Sequence, residues 1–163
     1  MRILRYIDKL TGFLAMVGAP LSLILAGVVF YDVVARYFFN APTFWAYELS
    51  WMLYSANFLL GLAYALREGA HIRIDIILNL FSTRLKSSLE AFFLLTTLFV
   101  LCVAVVGYGI DYAVESWKIR EAHSFTMWAP PVYHMKALIV VSFFVLGLQG
   151  LTEFIKKLKL MAS

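Results

Sequence analysis

The most informative shortage in this sequence is charge. Only 15% of the 163 residues are Asp, Glu, Lys or Arg, whereas 63% are hydrophobic. An ordinary soluble domain is about 25% charged and about 45–50% apolar. Four stretches contain no charged residue at all: residues 10–31, 49–66, 91–110 and 137–152. This composition argues against a soluble globular protein.

Other shortages exclude catalytic and cofactor-binding classes. Because Cys102 is the only cysteine, an intrachain disulfide and a cysteine metal cluster are both excluded, and we interpret this residue as a small core residue. No glycine-rich phosphate loop is present, and nothing resembles a nucleophile with its base or a set of metal ligands. His71, His123 and His134 lie outside the centres of the apolar stretches, which counts against a haem held between helices. We therefore expect a non-enzyme with no cofactor of its own.

The four apolar stretches are long enough, with their flanks, to cross a membrane. A spanning helix needs about 20 mostly apolar residues, because each residue advances about 1.5 Å through a layer of about 30 Å. The sequence predicts an all-α integral membrane domain over residues 1–163, and its four transmembrane helices are 10–38, 44–66, 88–117 and 132–155. The basic start resembles a signal peptide, but the apolar run that follows is longer than 7–15 residues. We expect a retained first helix.

The connection between the second and third spans, residues 70–87, has a different pattern. Its apolar residues fall on one helical face and its polar residues on the other. This pattern predicts a short amphipathic interfacial helix at the membrane surface. The alternative is an extension of the third helix into the cytoplasm, since no Gly or Pro separates Ser82 from Ala91.

The distribution of basic residues predicts the orientation. Ten of the 14 Lys and Arg residues lie in residues 2–9, in the connection 67–86 and in the tail after residue 155. Loops on the cytoplasmic side carry the excess of Lys and Arg, so both termini are predicted to be cytoplasmic. The net charge of +4 is then explained by the orientation in the membrane. We expect no nucleic acid partner, because the basic residues form no single patch.

The first hairpin carries candidate residues for structural or partner contacts. Asp32 and Arg36 have the four-residue spacing of a helical ion pair, and we expect Arg36 to bridge Asp32 and Glu48 across the hairpin. Asn40 and Pro42 predict the turn, because the residue before a proline disfavours helix and Asn suits turns. We interpret Asp32, Arg36 and Glu48 as a structural clamp that holds the hairpin together, and a docking element for a partner is the alternative.

Further candidates lie at the other helix ends. Trp45 belongs to an aromatic cluster typical of the headgroup region, and Trp128 and Lys136 flank the entry to the fourth helix. At the cytoplasmic end a polar cluster follows the second span, and it includes Arg67, His71, Arg73 and Asp75. We interpret this cluster as a solvated helix exit, with a specific site as the alternative.

The predicted spans lack the groups that a carrier normally needs. No Asp, Glu or His lies near the middle of a span, where an ion-coupled carrier usually keeps one, and the two halves do not match as inverted repeats. Small residues recur every three or four positions along the first helix: Gly12, Ala15, Ala19, Ser22 and Ala26. They predict a helix-packing face. Two alternatives are a free-standing homodimeric carrier and a haem- or quinone-anchoring subunit.

Several strings carry a resemblance to a known family. They are DVVARYFFNAP at residues 32–42, then Trp45 and Glu48, then GLAYALREGAHIRID at residues 61–75. Further matching positions lie around the fourth helix: Trp128, Pro130, Pro131, Lys136 and Gln149. Together they resemble the small membrane (Q-type) subunit of tripartite ATP-independent periplasmic (TRAP) transporters.

The resemblance implies a role within a complex. In that family the small subunit pairs with a large membrane subunit that binds substrate and sodium, and a periplasmic solute-binding protein delivers a carboxylate-bearing solute. The resemblance implies a non-catalytic scaffold in the bacterial inner membrane, in contact with membrane lipid and without a cofactor in this chain. Sodium coupling is expected in the partner subunit.

Overall fold

The part of the chain that the structure describes contains four long helices. A computed structural model describes residues 2–69, 92, 94–123 and 127–162. The helices are α1 (Arg2–Phe38), α2 (Ala46–Arg67), α3 (Val100–Lys118) and α4 (Tyr133–Ala162), and a π-helical segment, Leu94–Phe99, precedes α3. Four helical segments are long and apolar enough to span a membrane: Ile3–Phe38, Ala46–Arg67, Thr96–Lys118 and Tyr133–Leu158.

These helices confirm the predicted all-α membrane fold class. The predicted amphipathic helix over residues 70–87 and the predicted start of the third span at residue 88 lie outside the described residues.

A left-handed residue ends α1. Asn40 has a φ of 49°, a conformation that Asn tolerates better than most residues. The N–H of Ala41 donates to the carbonyl of Ala35 at 3.0 Å, which closes the turn before Pro42. The chain therefore reverses within a few residues, and α2 begins at Ala46 antiparallel to α1.

The apolar core is small and lies among α2, α3 and α4. It contains Ala63 and Leu66 of α2, Cys102 of α3, and Val145 and Leu146 of α4. Helix α1 packs mainly on α2, and α3 mainly on α4, so α2 and α4 form the centre of the bundle. Most other large apolar side chains remain exposed, as expected for a protein whose surroundings include lipid.

Glycines allow α4 to approach both the π-helical segment and α3 closely. A Cβ atom at Gly150 would lie 2.9 Å from Leu98 Cδ2, and one at Gly109 would lie 3.0 Å from Val140 Cγ2. Helices in membranes associate largely through such close backbone approach, because lipid provides no hydrophobic driving force between them. The antiparallel pair α3–α4 therefore depends on small residues at its contacts.

The small-residue face predicted on α1 is only partly correct. Gly12 lies against Arg67 of α2, and Ser22 Oγ accepts a hydrogen bond from Asn57 Nδ2 at 2.8 Å. However, Ala19 and Ala26 are exposed, whereas Thr11 and Gly18 are buried. The buried side of α1 therefore differs from the predicted small-residue face, because the Thr11 hydroxyl faces Gln149 of α4. Residue size alone does not predict this polar contact.

Candidate functional site: two polar clusters at the ends of the bundle

Charged side chains concentrate at the two ends of the bundle. In the described part of the chain, residues 10–31, 49–66, 94–110 and 137–152 contain no Asp, Glu, Lys or Arg. We define the hairpin-side cluster as Asp32, Arg36, Thr43, Glu48, Glu121, His123 and Lys136. We define the terminal-side cluster as Asp8, Thr11, Arg67, Gln149, Glu153 and Lys156.

Asp32 fastens the first hairpin. Its Oδ2 accepts a hydrogen bond from Arg36 Nη2 at 2.7 Å, which is the ion pair that the spacing predicts. Its Oδ1 accepts hydrogen bonds from both the backbone N–H of Thr43, at 3.2 Å, and the Thr43 hydroxyl. Sequence reasoning missed Thr43, although a hydroxyl residue just after the turn proline is a suitable donor to a carboxylate near the end of the preceding helix.

The expected bridge from Arg36 to Glu48 is wrong. The Glu48 side chain is only 2% exposed, and its Oε1 lies 2.9 Å from His123 Nδ1 in the α3–α4 loop. The His123 ring also packs against Trp51, with ring centroids 6.0 Å apart. A buried carboxylate needs a charged or polar partner, and Glu48 finds it far along the chain, where no local spacing indicates it.

The end of α3 directs the chain toward this pair. Arg120 is left-handed, with a φ of 49°. Its N–H donates to Trp117 O at 3.3 Å, and the N–H of Glu121 donates to Ser116 O at 3.0 Å. This is the Schellman arrangement, in which a left-handed residue lets the last helical carbonyls find donors. It turns Glu121 back over the helix end.

Two backbone hydrogen bonds close the α3–α4 loop. The N–H of His123 donates to Pro130 O at 2.9 Å, and the N–H of Val132 donates to Glu121 O at 3.0 Å. These bonds fix the backbone of His123, so its imidazole is held where it meets Glu48.

Lys136 lies between an acid and an aromatic ring. Its ammonium donates a hydrogen bond to Glu121, and Nζ lies 3.8 Å from the centroid of the Tyr112 ring, within cation–π range. The hydrogen bond from Lys136 lowers the pKa of the Glu121 carboxyl. Lys136 therefore joins the loop, α3 and α4.

The two candidate tryptophans, Trp45 and Trp128, lie at this end. Trp45 stacks on Tyr31 of α1 at 5.8 Å between ring centroids, so it contributes to the hairpin. Trp128 is partly exposed in the α3–α4 loop. The structure thus places one of them in an intrachain contact and leaves part of the other at the surface.

Gln149 is the centre of the terminal-side cluster. Its side chain is fully buried. Its Nε2 donates to Asp8 Oδ1 at 2.9 Å and to Glu153 Oε1 at 3.0 Å. The hydroxyl of Thr11 lies 3.5 Å from Gln149 Oε1. The amide therefore has partners on both α1 and α4, as a buried polar group requires.

Two cations complete this cluster. Lys156 Nζ lies 3.1 Å from Asp8 Oδ1 and 2.8 Å from Glu153 Oε1. Arg67 Nη1 donates to Asp8 O at 2.5 Å and its guanidinium also pairs with Glu68 at 2.9 Å. The cluster therefore ties the end of α2 to the starting turns of α1 and the last turns of α4.

Sequence reasoning found only part of the terminal-side cluster. Arg67 belongs to it, whereas the predicted residues His71, Arg73 and Asp75 lie outside the described residues. Asp8, Thr11, Glu153 and Lys156 were missed. The available signal was that Gln149, Glu153 and Lys156 follow one another at helical spacing just inside the end of an apolar span.

The geometry of both clusters is that of helix clamps. Asp8, Asp32, Glu121 and Glu153 each pair with a Lys or Arg side chain, and Glu48 lies 2.9 Å from the imidazole of His123. Over the part of the chain that the structure describes, no group of three or more His, Cys, Asp or Glu residues is placed to hold a metal ion. The arrangement fastens helices to one another.

Comparison with known proteins agrees with this architecture. The chain is 28% identical over 107 residues to the sialic acid TRAP transporter permease protein SiaT of Haemophilus influenzae (strain 86-028NP). The match covers 66% of this chain but 17% of the relative, so the chain spans about a sixth of the length of this curated relative. The family model for the DctQ component of tripartite ATP-independent periplasmic transporters matches residues 25–160. This multi-pass membrane protein therefore belongs to the DctQ family.

Proposed function

We propose that this chain is the non-catalytic scaffold subunit of a sodium-coupled TRAP importer of carboxylate-bearing solutes, and that it supports a large membrane subunit. The observation that carries the proposal is the distribution of charge. The described residues 10–31, 49–66, 94–110 and 137–152, which form the central parts of the four spans, contain no Asp, Glu, Lys or Arg. A solute or ion pathway normally keeps ionisable groups within the membrane, so the pathway is assigned to another chain.

The small core supports a role in assembly. Few apolar side chains are buried inside this chain, whereas residues such as Leu23, Tyr108 and Phe38 are largely exposed. A surface of this kind is suited to contact with lipid and with helices of another subunit.

The length of the curated relative supports the same proposal. The region similar to this chain is 17% of a protein named as a whole permease. In that protein, such a region is therefore joined to a much larger remainder. We therefore assign the binding of sodium and solute to the large subunit of the present system.

The hairpin-side cluster is proposed to face the periplasm. Ten of the 14 basic residues lie on the side of the termini and of the connection 67–86, and that side is expected to be cytoplasmic. In a bacterial inner membrane, the hairpin around Pro42 and the α3–α4 loop around Trp128 then face the solute-binding protein.

Reconstitution tests the proposal directly. The tagged chain and a large TRAP membrane subunit from the same organism are purified together in mild detergent and placed in liposomes. Uptake of radiolabelled carboxylates, sialic acid included, is then measured with the solute-binding protein outside, under an inward sodium gradient or a matched potassium gradient. We expect uptake only with all three proteins and sodium. Sodium-driven uptake by this chain alone, or a stable monodisperse chain that never retains the large subunit, would overturn the proposal.

Two variants separate assembly from transport. Because Asp32 and Glu48 hold the hairpin and the α3–α4 loop, Asp32→Ala and Glu48→Ala are expected to reduce recovery of the large subunit and uptake in parallel. Tyr47→Ala is the control, since Tyr47 is exposed beside Glu48. Normal assembly with abolished uptake in the first two variants would contradict a purely supporting role.

A further inference from the structure

The described backbone of the α3–α4 loop is held in place by contacts rather than by its own preference. Arg120 and Ala129 are both left-handed, with φ of 49° and 43°, a conformation that is unfavourable for residues with a Cβ atom. Such backbone persists only where surrounding contacts determine it. The position of residues 119–123, which we call the first loop arm, therefore depends on what this arm binds.

The contact between His123 and Glu48 fastens the first loop arm to α2. His123 Nδ1 lies 2.9 Å from Glu48 Oε1, and the side chains are 24% and 2% exposed, respectively. Trp51, one turn further along α2, packs against the imidazole. The carboxylate is therefore shielded from water, whereas the imidazole remains accessible enough to exchange a proton with the solvent.

The protonation of His123 determines how strong this contact is. A carboxylate out of water is costly unless it faces a cation, and a hydrogen bond between ionised groups is about twice as strong as one between neutral groups. Histidine ordinarily changes its charge between about pH 5 and pH 8. The contact is therefore strong while the imidazole is protonated, and it weakens as the pH rises and the imidazole loses its proton.

The charged groups on the neighbouring elements ordinarily keep their charge over this range. Asp32 of α1 pairs with Arg36, and Lys136 of α4 pairs with Glu121. Carboxylates, tyrosines, lysines and arginines ordinarily titrate outside about pH 5–8. Other ionisable side chains of α2, α3 and the loop at this end include Tyr47, Asp111, Tyr112, Glu115, Lys118 and Arg120.

His134 provides a comparison at the same end of the bundle. It is exposed, and its ring lies 5.3 Å from the ring of Trp117 and 4.1 Å from that of Tyr133. Among the described residues it contacts aromatic rings and no acid. A change in the charge of His134 therefore breaks no ion pair in this part of the chain.

We propose that the contact of His123 with Glu48 is a pH-sensitive switch of the α3–α4 loop. At mildly acidic pH the protonated imidazole holds the first loop arm on the start of α2, and at alkaline pH the arm detaches more readily. In the orientation proposed above, the switch lies on the periplasmic side. The inference itself does not depend on the role of the chain in transport.

A distance measurement within the full chain tests the switch. Nitroxide labels are attached at Ala122→Cys in the first loop arm and at Glu68→Cys at the far end of α2, both of which are exposed, while Cys102 is buried. Distances are measured by pulsed electron paramagnetic resonance in lipid nanodiscs. We expect one narrow distribution at about pH 6 and, at about pH 8.5, a detached population that is larger by about fivefold or more, since the contact loses its charged partner. Identical distributions at both pH values would overturn the inference.

Four variants show whether this contact causes the response. His123→Gln and Glu48→Gln each remove one charge, so both are expected to give the same distribution at either pH. His123→Lys keeps a cation over the whole range and is expected to hold the arm at both pH values. His134→Gln is the matched control and should retain the wild-type response. A response that persists in His123→Gln, or that disappears in His134→Gln, would overturn the inference.

The outcomes stay separate from those of the proposed function. Circular dichroism at both pH values shows whether each variant retains its helices, and folded variants alone are compared. Because the measurement needs neither the large subunit nor a solute, a negative result leaves the proposed scaffold role standing. Failure of the reconstitution experiment, in turn, leaves the switch unaffected.

Discussion

At the residue scale, Glu48 and His123 link two parts of the chain that are remote in sequence. The Glu48 carboxylate lies in the first turn of α2, where a negative charge is favoured by the helix dipole. It is almost completely buried and lies at an ion-pair distance from His123. The pair therefore holds the α3–α4 loop on the end of α2.

A double-mutant cycle measures this link. Glu48→Gln and His123→Ala are made singly and together, and unfolding of the purified chain in detergent is followed by circular dichroism. Because the side chains are in contact and one is buried, we expect a coupling energy of about 0.5–3 kcal/mol. Tyr47→Ala paired with His123→Ala is the control, and its effects should add. Additive losses for the Glu48 and His123 pair would show that the contact contributes nothing.

The pKa of Glu121 predicts acid sensitivity in the same loop. Its carboxyl pKa is lowered by the hydrogen bond from Lys136. The stabilisation is therefore fully present above the ordinary pKa of a glutamate and is lost as the pH falls through the lowered value. We expect amide hydrogen exchange in residues 119–123 and 127–132 to accelerate on acidification, and the variant Glu121→Gln to lose this pH dependence. Glu68→Gln, at the other end of the bundle, should keep the wild-type profile; an unchanged profile in Glu121→Gln would contradict the assignment.

At the element scale, the contact of α4 with the π-helical segment before α3 and with α2 depends on Gly150. A Cβ there would lie 2.9 Å from Leu98 Cδ2 and 3.9 Å from Leu66 Cδ2, so a larger side chain would meet both neighbours. We expect Gly150→Val to destabilise the purified chain by about 1–3 kcal/mol, as overpacking does. The measurement is the free energy of unfolding in a detergent titration.

Gly61 provides the matched control for this substitution. It is also a helical glycine, but nothing lies within 4 Å of an added Cβ. Gly61→Ala is expected to be neutral or to stabilise the chain by up to about 1 kcal/mol, because alanine is the better helix former. The substitution matched in size is Gly61→Val. Equal losses of stability in Gly150→Val and Gly61→Val would show that helix propensity, and not packing against Leu98 and Leu66, determines the loss.

The elements show how much of the fold is readable from the sequence. Length and apolar composition are local properties, so the four spanning helices are predictable, and the Asp32–Arg36 pair follows from its four-residue spacing. The partners of Glu48 and Gln149 cannot be predicted in this way, because they depend on how separate helices pack. The small-residue pattern on α1 was misleading for the same reason, since the position of Thr11 against Gln149 determines which side is buried.

At the scale of the whole molecule, the two polar clusters lie at opposite ends of a bundle whose described central stretches, 10–31, 49–66, 94–110 and 137–152, contain no Asp, Glu, Lys or Arg. Each cluster contains close pairs of opposite charge, such as Asp32 with Arg36 and Lys156 with Asp8. We therefore expect the basic residues outside these pairs, which are more numerous on the side of the termini, to set the orientation of the molecule. The excess of Lys and Arg on one side is the property that controls membrane topology.

Cysteine labelling tests the resulting orientation. Ala41→Cys places a thiol in the exposed hairpin, and Glu68→Cys places one at the opposite end of the bundle. Cys102 is buried, so the unsubstituted chain is the unlabelled control. Because loops rich in Lys and Arg stay in the cytoplasm, a membrane-impermeant maleimide added to spheroplasts is expected to label Ala41→Cys, and to label Glu68→Cys only after permeabilisation. The reverse pattern would place the termini in the periplasm, and it would move the hairpin-side cluster away from any solute-binding protein.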